Sequence, residues 1–210
     1  MSSEPQRLID DARELGVTLN ADQAAGLLRL LDELASWNRH YNLTAITERE
    51  SMIGAHVLDS LSAQADLQGT LVADVGTGAG FPGLPLALVE PQRQFTLIDS
   101  VAKKIRFVSH AVRVLGLTNV AVLNARAESL TPERPFDTVM ARAFAPLADL
   151  LEAVRGMSGP ATRVVALKGR YPTDELAELP RGWRLQQARA RQIPGLQAER
   201  HILSFVRQPE

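Results

Sequence analysis

Residues 74–83 read Asp-Val-Gly-Thr-Gly-Ala-Gly-Phe-Pro-Gly and follow directly on a β-branched run. Glycines at 76, 78 and 80 let a backbone turn tightly and approach a ligand without Cβ clashes. A helix starting after them would aim its N-terminal amides at that ligand. The second strand-like run ends on Asp99, nineteen residues after Gly80. A carboxylate there can accept hydrogen bonds from both ribose hydroxyls of an adenosine; its structural alternative is to cap the helix that follows, a duty Ser100 could take instead. A third run leads to Asn124-Ala125-Arg126-Ala127-Glu128. There a backbone N–H of Ala127 or Glu128 can read an adenine edge. The Glu128 carboxylate can pair with Arg126, reach the adenine amino group or simply cap a short helix.

Two ligand classes share these features, the nicotinamide dinucleotides and S-adenosylmethionine. The dinucleotide fingerprint is Gly-x-Gly-x-x-Gly, whereas this loop is Gly-x-Gly-x-Gly, with Asp74 two residues ahead of it. An acid so placed repels a pyrophosphate but can hold, directly or through water, the ammonium of a methionine moiety. The expected cofactor is therefore S-adenosylmethionine, with Asp74, Gly76, Gly78 and Asp99 among its contacts.

The elements that must position these residues are legible as hydrophobic periodicity. Short β-branched runs occur at 70–75, 94–99, 119–124, 136–141 and 162–168, with helical patterns at 82–90, 101–116 and 146–157 between them. Such alternation implies βαβ units and a mostly parallel sheet. Pro82 suits the first turn of a helix, and Gly116 suits a helix stop. Alternating runs at 183–191 and 201–207, separated by Pro194-Gly195, predict an antiparallel hairpin at the end. The expected fold is α/β: a Rossmann-like class I methyltransferase with a seven-stranded sheet, its last hairpin antiparallel. Residues 1–66 read instead as helices, an N-terminal extension to a methyltransferase domain over 67–210. Leu27, Leu28, Leu30, Leu31, Leu34 and Trp37 keep helical spacing, with Asn20 as N-cap. A second helix is expected over 48–64, with Thr47 as its cap and Glu50 completing a capping box.

Composition narrows the field. The chain of 210 residues is 45% apolar and 22% charged, an ordinary globular balance. It has no cysteine, which removes disulfides, thiolate nucleophiles and zinc-thiolate sites, and its four histidines are scattered, so no metal is expected. No apolar run is long enough for a membrane span, and the polar, acidic start lacks the chemistry of a targeting peptide; a cytoplasmic protein without a membrane partner is expected. The net charge of −1 hides an asymmetry. Residues 1–70 hold 5 basic and 11 acidic side chains, residues 71–162 hold 9 and 8, and residues 163–210 hold 9 and 5. The arginines at 181, 184, 189, 191, 200 and 207 form either a solvated strand face or a phosphate-binding patch. An acidic front and a basic rear suit docking on a structured polyanion in one orientation.

Seven blocks occur in an order that resembles one family: WNRHYNLTAI (37–46), HVLDSL (56–61), DVGTGAGFPGLPLAL (74–88), LIDSVAKKIRF (97–107), NARAE (124–128), the run from Phe136 to Leu147, and LKG (167–169). The chain is similar, from about Trp37 to Lys168, to the RsmG family, also called glucose-inhibited division protein B. That resemblance implies a bacterial 16S rRNA methyltransferase. It implies transfer of a methyl group from S-adenosylmethionine to N7 of one guanine in the 530 loop; the rRNA is expected to be presented in the 30S subunit or its precursor, and the enzyme is expected to be a monomer. Carried over by position, it implies cofactor contacts at Gly76, Phe81, Ala127, Glu128 and Arg142.

Guanine N7 has a lone pair and no hydrogen to lose, so its methylation requires no general base. The segment after the fourth strand, Met140-Ala141-Arg142-Ala143-Phe144, lacks the Asn-Pro-Pro-Tyr-like motif that serves exocyclic amino groups. Arg142 is the expected catalytic-site residue, positioning guanine O6, a phosphate or the cofactor carboxylate; its structural alternative is a salt bridge to Asp137 or Asp149. Phe144 is a candidate to stack on the target base. Lys168 can neutralise a phosphate at the sheet edge, and Lys103 and Lys104 stand at a helix start, where the dipole disfavours them; they are candidates for RNA contact, with ordinary solvated lysines the commoner alternative. His56 and Asp59 share a helix face and are expected to cross-link the N-terminal helices over the cofactor mouth. Two rival readings are an NAD-dependent oxidoreductase and a non-catalytic RNA-binding module.

Overall fold

A computed structural model describes residues 3–144 and 146–208. Seven strands form one sheet: β1 (Leu71–Val75), β2 (Gln94–Asp99), β3 (Val120–Asn124), β4 (Phe136–Arg142), β5 (Ser158–Lys168), β6 (Trp183–Arg191) and β7 (Arg200–Arg207). Their spatial order is β3-β2-β1-β4-β5-β7-β6. The first five are parallel, whereas β7 runs antiparallel to both β5 and β6. Inserting β7 between β5 and β6 makes this the class I methyltransferase arrangement expected from the hairpin. Strand order reverses between β1 and β4, and in open α/β sheets ligands bind outside the carboxyl ends at such a switch point.

The helices are α1 (Glu4–Glu14), α2 (Ala21–Tyr41), α3 (Arg49–Met52), α4 (Asp59–Leu61), α5 (Gly83–Val89), α6 (Ala102–Leu115), α7 (Leu147–Ala153) and α8 (Thr173–Ala177). None is long and apolar enough to cross a membrane. Asn20 caps α2 in a full capping box with Gln23: each side chain bonds the other's backbone N–H, at 2.8 and 3.0 Å. Replacing Asn20 by alanine is expected to lower unfolding free energy by ~1 kcal/mol, read as a shifted urea midpoint at constant slope. The apolar face of α2 (Leu27, Leu30, Leu31, Leu34) is wholly buried and joins one core with Leu84 of α5 and Phe107 of α6. The other face of the sheet has its own core around Leu150, Leu151, Trp183 and Phe205.

Three expectations need correction. The helix predicted over 48–64 is capped by Glu48 rather than Thr47, because a charged carboxylate reaches Glu50 N and Ser51 N, at 3.0 and 2.6 Å. Glu50, freed from a capping box, pairs with Arg7 at 3.2 Å. That helix also changes pitch, running as a π-helix over Ile53–Leu58 between α3 and α4, a form that recurs at functional sites. Strand β5 begins four residues before the predicted Thr162, with the Gly159-Pro160 breaker absorbed where its register on β4 shifts. There the Thr162 hydroxyl accepts from Gly159 N and donates to the Phe136 carbonyl.

The C-terminal arginines are only partly a solvated face or a phosphate patch. Arg189 pairs with Asp66, and Arg200 pairs with Asp59 at 3.0 Å. Both carboxylates are almost fully buried and belong to the helical segment before β1. The acidic front and basic rear therefore neutralise one another inside the fold at these two clasps.

Candidate active site

A cleft of about 710 Å³ opens at the carboxyl ends of the first four strands. Its walls include Val75 and Gly76 after β1, Ile98 and Asp99 at the end of β2, Ala127 and Glu128 after β3, and Phe144 after β4. This size and the mix of apolar walls with a few polar groups suit a small-molecule cofactor.

The glycine loop takes its shape from two carboxylates. Gly76 and Gly78 have φ of +66° and +61°, a region that favours glycine. A Cβ on Gly76 would sit 2.8 Å from the Phe144 ring, whereas one on Gly78 would meet only a carbonyl at 3.9 Å. Asp99 lies on the cleft wall, and its Oδ2 accepts from Gly78 N at 3.0 Å. Its Oδ1 accepts from Val101 N at 2.8 Å, so Asp99, not Ser100, organises the start of α6. Each carboxylate oxygen retains a second lone-pair direction, so these duties leave capacity for ribose hydroxyls.

Asp74, expected at the methionine ammonium, is turned inward. It is fully buried, and its Oδ2 accepts from Thr77 Oγ1 at 2.6 Å and Gly83 N at 2.8 Å. It ties the loop's start to its end, while Oδ1 is buried without a partner. Burial pushes this carboxyl up to about 6, against the lowering pull of those two hydrogen bonds.

Phe81 and Arg142 do not line the cleft. They form a second cluster with the N-terminal helices. Arg142 Nη1 donates to the Ala55 carbonyl at 2.7 Å and to Asp59 Oδ2 at 3.1 Å. Its guanidinium carbon lies 5.6 Å from the Phe81 ring centre, within cation–π range. His56 stacks on the same Phe81 ring at 4.9 Å, and its Nε2 bonds Thr44 Oγ1 at 3.0 Å. Burial, with the Arg142 charge nearby, pushes the His56 imidazole down to about 4, so it is neutral at pH 7. The alternative of a salt bridge to Asp137 or Asp149 is not what forms: Arg142 pairs with Asp59, and Asp137 accepts from Thr70 N and Leu71 N. Asp59, expected to cross-link the N-terminal helices, joins them to β4 and β7 through Arg142 and Arg200. Its arginine partners stand 83 and 141 residues away, beyond any local sequence pattern.

The remaining candidates divide. Glu128 is exposed and pairs with Arg126 at 3.3 Å. Lys104 reaches Asp99 at 3.7 Å, and Lys103 donates to the Tyr41 carbonyl at 3.0 Å. Lys168 is held by both oxygens of Glu175, at 3.1 and 2.8 Å. Glu175 also accepts from Leu147 N at 2.6 Å; helix α8, which carries it, went unread in the sequence. Phe144 is half-buried over Gly76 and on the cleft wall. Among the described residues no cluster of histidine and carboxylate side chains is arranged to hold a metal.

Comparison with known proteins adds to this geometry. Residues 23–203 match a family described as rRNA small subunit methyltransferase G. A protein of that name from Aeromonas salmonicida is 42% identical over 206 residues, covering 98% of this chain and 99% of its own. One from Methylococcus capsulatus is 49% identical over 189 residues, covering 90% and 92%. A solved SAM dependent methyltransferase from Aquifex aeolicus superposes with a TM-score of 0.54 at 21% identity, covering 74% of this chain and 93% of that one, a likeness of fold.

Proposed function

The chain belongs to the rRNA small subunit methyltransferase G family, and on that premise we propose that it methylates N7 of a guanine in the 530 loop of 16S rRNA, using S-adenosylmethionine. The observation that carries the cofactor assignment is the cleft at the β1/β4 switch point, with the Asp99 carboxylate on its wall and a bare glycine loop beside it. When bound there, the cofactor supplies a methyl group on a positively charged sulfur, which leaves as a neutral thioether.

The chain's own residues do the holding. Asp99 offers its free lone pairs to a ribose. The backbone at Ala127 and Glu128 borders the space for an adenine. Gly76 and Gly78 keep the loop free of side chains, and Asp74 locks that loop from below rather than touching the ligand. Arg142 and Phe81 stand outside the cleft lining, in the cluster with the N-terminal helices. There the guanidinium is fixed by Asp59 and Ala55, so its remaining N–H groups are pre-oriented for acceptors such as guanine O6 or a carboxylate. N7 needs no proton removed, so orientation is the principal task asked of these side chains. The substrate is rRNA in the 30S subunit or its precursor.

Calorimetry with S-adenosylmethionine and with NAD is the direct test. Heat with the first alone is expected; heat with NAD alone returns the oxidoreductase reading, and heat with neither returns the non-catalytic module. In the same titration Asp99→Ala should weaken S-adenosylmethionine binding by ~1–3 kcal/mol, through lost charge-assisted hydrogen bonds and a loosened Gly78. Unchanged affinity would remove Asp99 from the ribose site.

A further inference from the structure

Two stretches that pack against one another carry no acidic side chain and meet in a seam. No aspartate or glutamate occurs from residue 34 to 47, nor from 100 to 127. The first stretch is the end of α2 and the turn after it; the second begins with α6. Helices α2 and α6 pack together through Trp37, whose ring lies 5.6 Å from Phe107 and 4.9 Å from His110. The Lys103 ammonium, on the Tyr41 carbonyl, closes the seam at its cleft end. Exposed along it are Arg39, His40, Lys103 and Arg106. Arg39 has a neutral partner, the Ser36 hydroxyl. At its borders Asp99 lies 3.7 Å from the Lys104 ammonium, and Glu33 shares a hydrogen bond with His110 at 2.7 Å.

An aromatic surface accompanies this charge. Tyr41 is 39% exposed, and its ring lies 5.3 Å from that of Trp37, tilted by 31°. An exposed ring among basic side chains is suited to receive a base. The seam also reaches the cofactor cleft, since Val101 and Lys104 belong to the cleft wall.

We infer that the α2/α6 seam is the docking surface for the RNA strand flanking the target nucleotide, with phosphates on Arg39, Lys103 and Arg106 and an unpaired base on Tyr41. This rests on the rRNA methyltransferase reading and deepens it. Basic side chains without acidic neighbours bind a phosphate backbone; a ring among them adds a stacking platform tolerant of base identity. The C-terminal arginines are the lesser candidate, because Arg189 and Arg200 are committed to Asp66 and Asp59.

The test uses the full chain, protein-free 16S rRNA and purified small subunits. The double variant Arg39→Ala/Arg106→Ala is expected to bind 16S rRNA about tenfold more weakly, and its salt dependence should be shallower by about two phosphate contacts. Tyr41→Ala should weaken binding about tenfold while Tyr41→Phe, which keeps the ring, binds normally. Affinity for S-adenosylmethionine should be unchanged in all three. Wild-type RNA affinity and salt slope in the double variant would overturn the inference. So would a defect seen on small subunits but not on naked rRNA, which would assign the seam to a ribosomal protein. Failure of the unaltered chain to bind the cofactor or transfer methyl groups would strike the proposed function instead, since the RNA-binding measurements need neither.

Discussion

Arg142→Ala is expected to cut methyl transfer to rRNA about 100-fold or more while leaving a folded protein. The guanidinium joins Asp59, the Ala55 carbonyl and the Phe81 ring at the end of β4. Its removal costs the reaction an oriented donor, a loss of the size seen for other pre-organised donors. Stability should fall by only ~2 kcal/mol, because the buried Asp59 keeps its bond from Arg200 Nε. Arg142→Lys restores the charge but cannot hold Asp59, Ala55 and a further acceptor in one planar fork; it should recover stability more than turnover. Radiolabelled methyl incorporation beside a urea midpoint checks both. Near-normal turnover in the alanine variant would exclude Arg142 from the reaction.

The second large effect concerns pH. His56 is held down at about 4 from 6.5, so the stability its neutral form provides is present above pH 6.5 and is lost as pH falls through about 4. Asp74 is held up at about 6 from 3.8, so its contribution is present below pH 3.8 and is lost as pH rises through about 6. Each shift of about two units corresponds to ~3 kcal/mol, and the slopes oppose one another over the same window. The two groups should nearly cancel in the natural protein. His56→Gln should then lose ~3 kcal/mol relative to wild type as pH rises from 4 to 6, and Asp74→Asn should gain about as much. Urea unfolding at intervals from pH 4 to 7 measures this; variant curves parallel to that of wild type would refute it.

Much of the frame was legible because it rests on local periodicity. The bounds of β2 and β6 are those read from the sequence. The antiparallel pairing of the last two strands followed from the turn residues between two alternating runs. The cleft wall was legible for a related reason: Gly76, Asp99, Ala127 and Glu128 lie at strand ends, where a motif and a position coincide. Side-chain direction was not legible. Asp74 carries the same motif yet points into the loop it supports. Phe81 and Arg142 turn to the helical layer, because their partners there lie on elements the chain reaches far earlier. Lys103, Lys104 and Lys168 attracted attention as unplaced charge, but each has a partner that only the folded chain brings near.

The two clasps between the helical layer and the hairpin bear on synthesis. Asp66 meets Arg189 across 123 residues, and Asp59 meets Arg200 across 141. While the chain is still emerging from the ribosome, Asp66 lacks its arginine and Asp59 has, at most, one of its two. An earlier segment is thus fastened by a later one, and a growing chain that ends before β6 leaves Asp66 a carboxylate that resists being drawn out of water. Synthesis through β6 and β7, rather than the folding of an earlier piece, supplies the charges that let the layer over the sheet close.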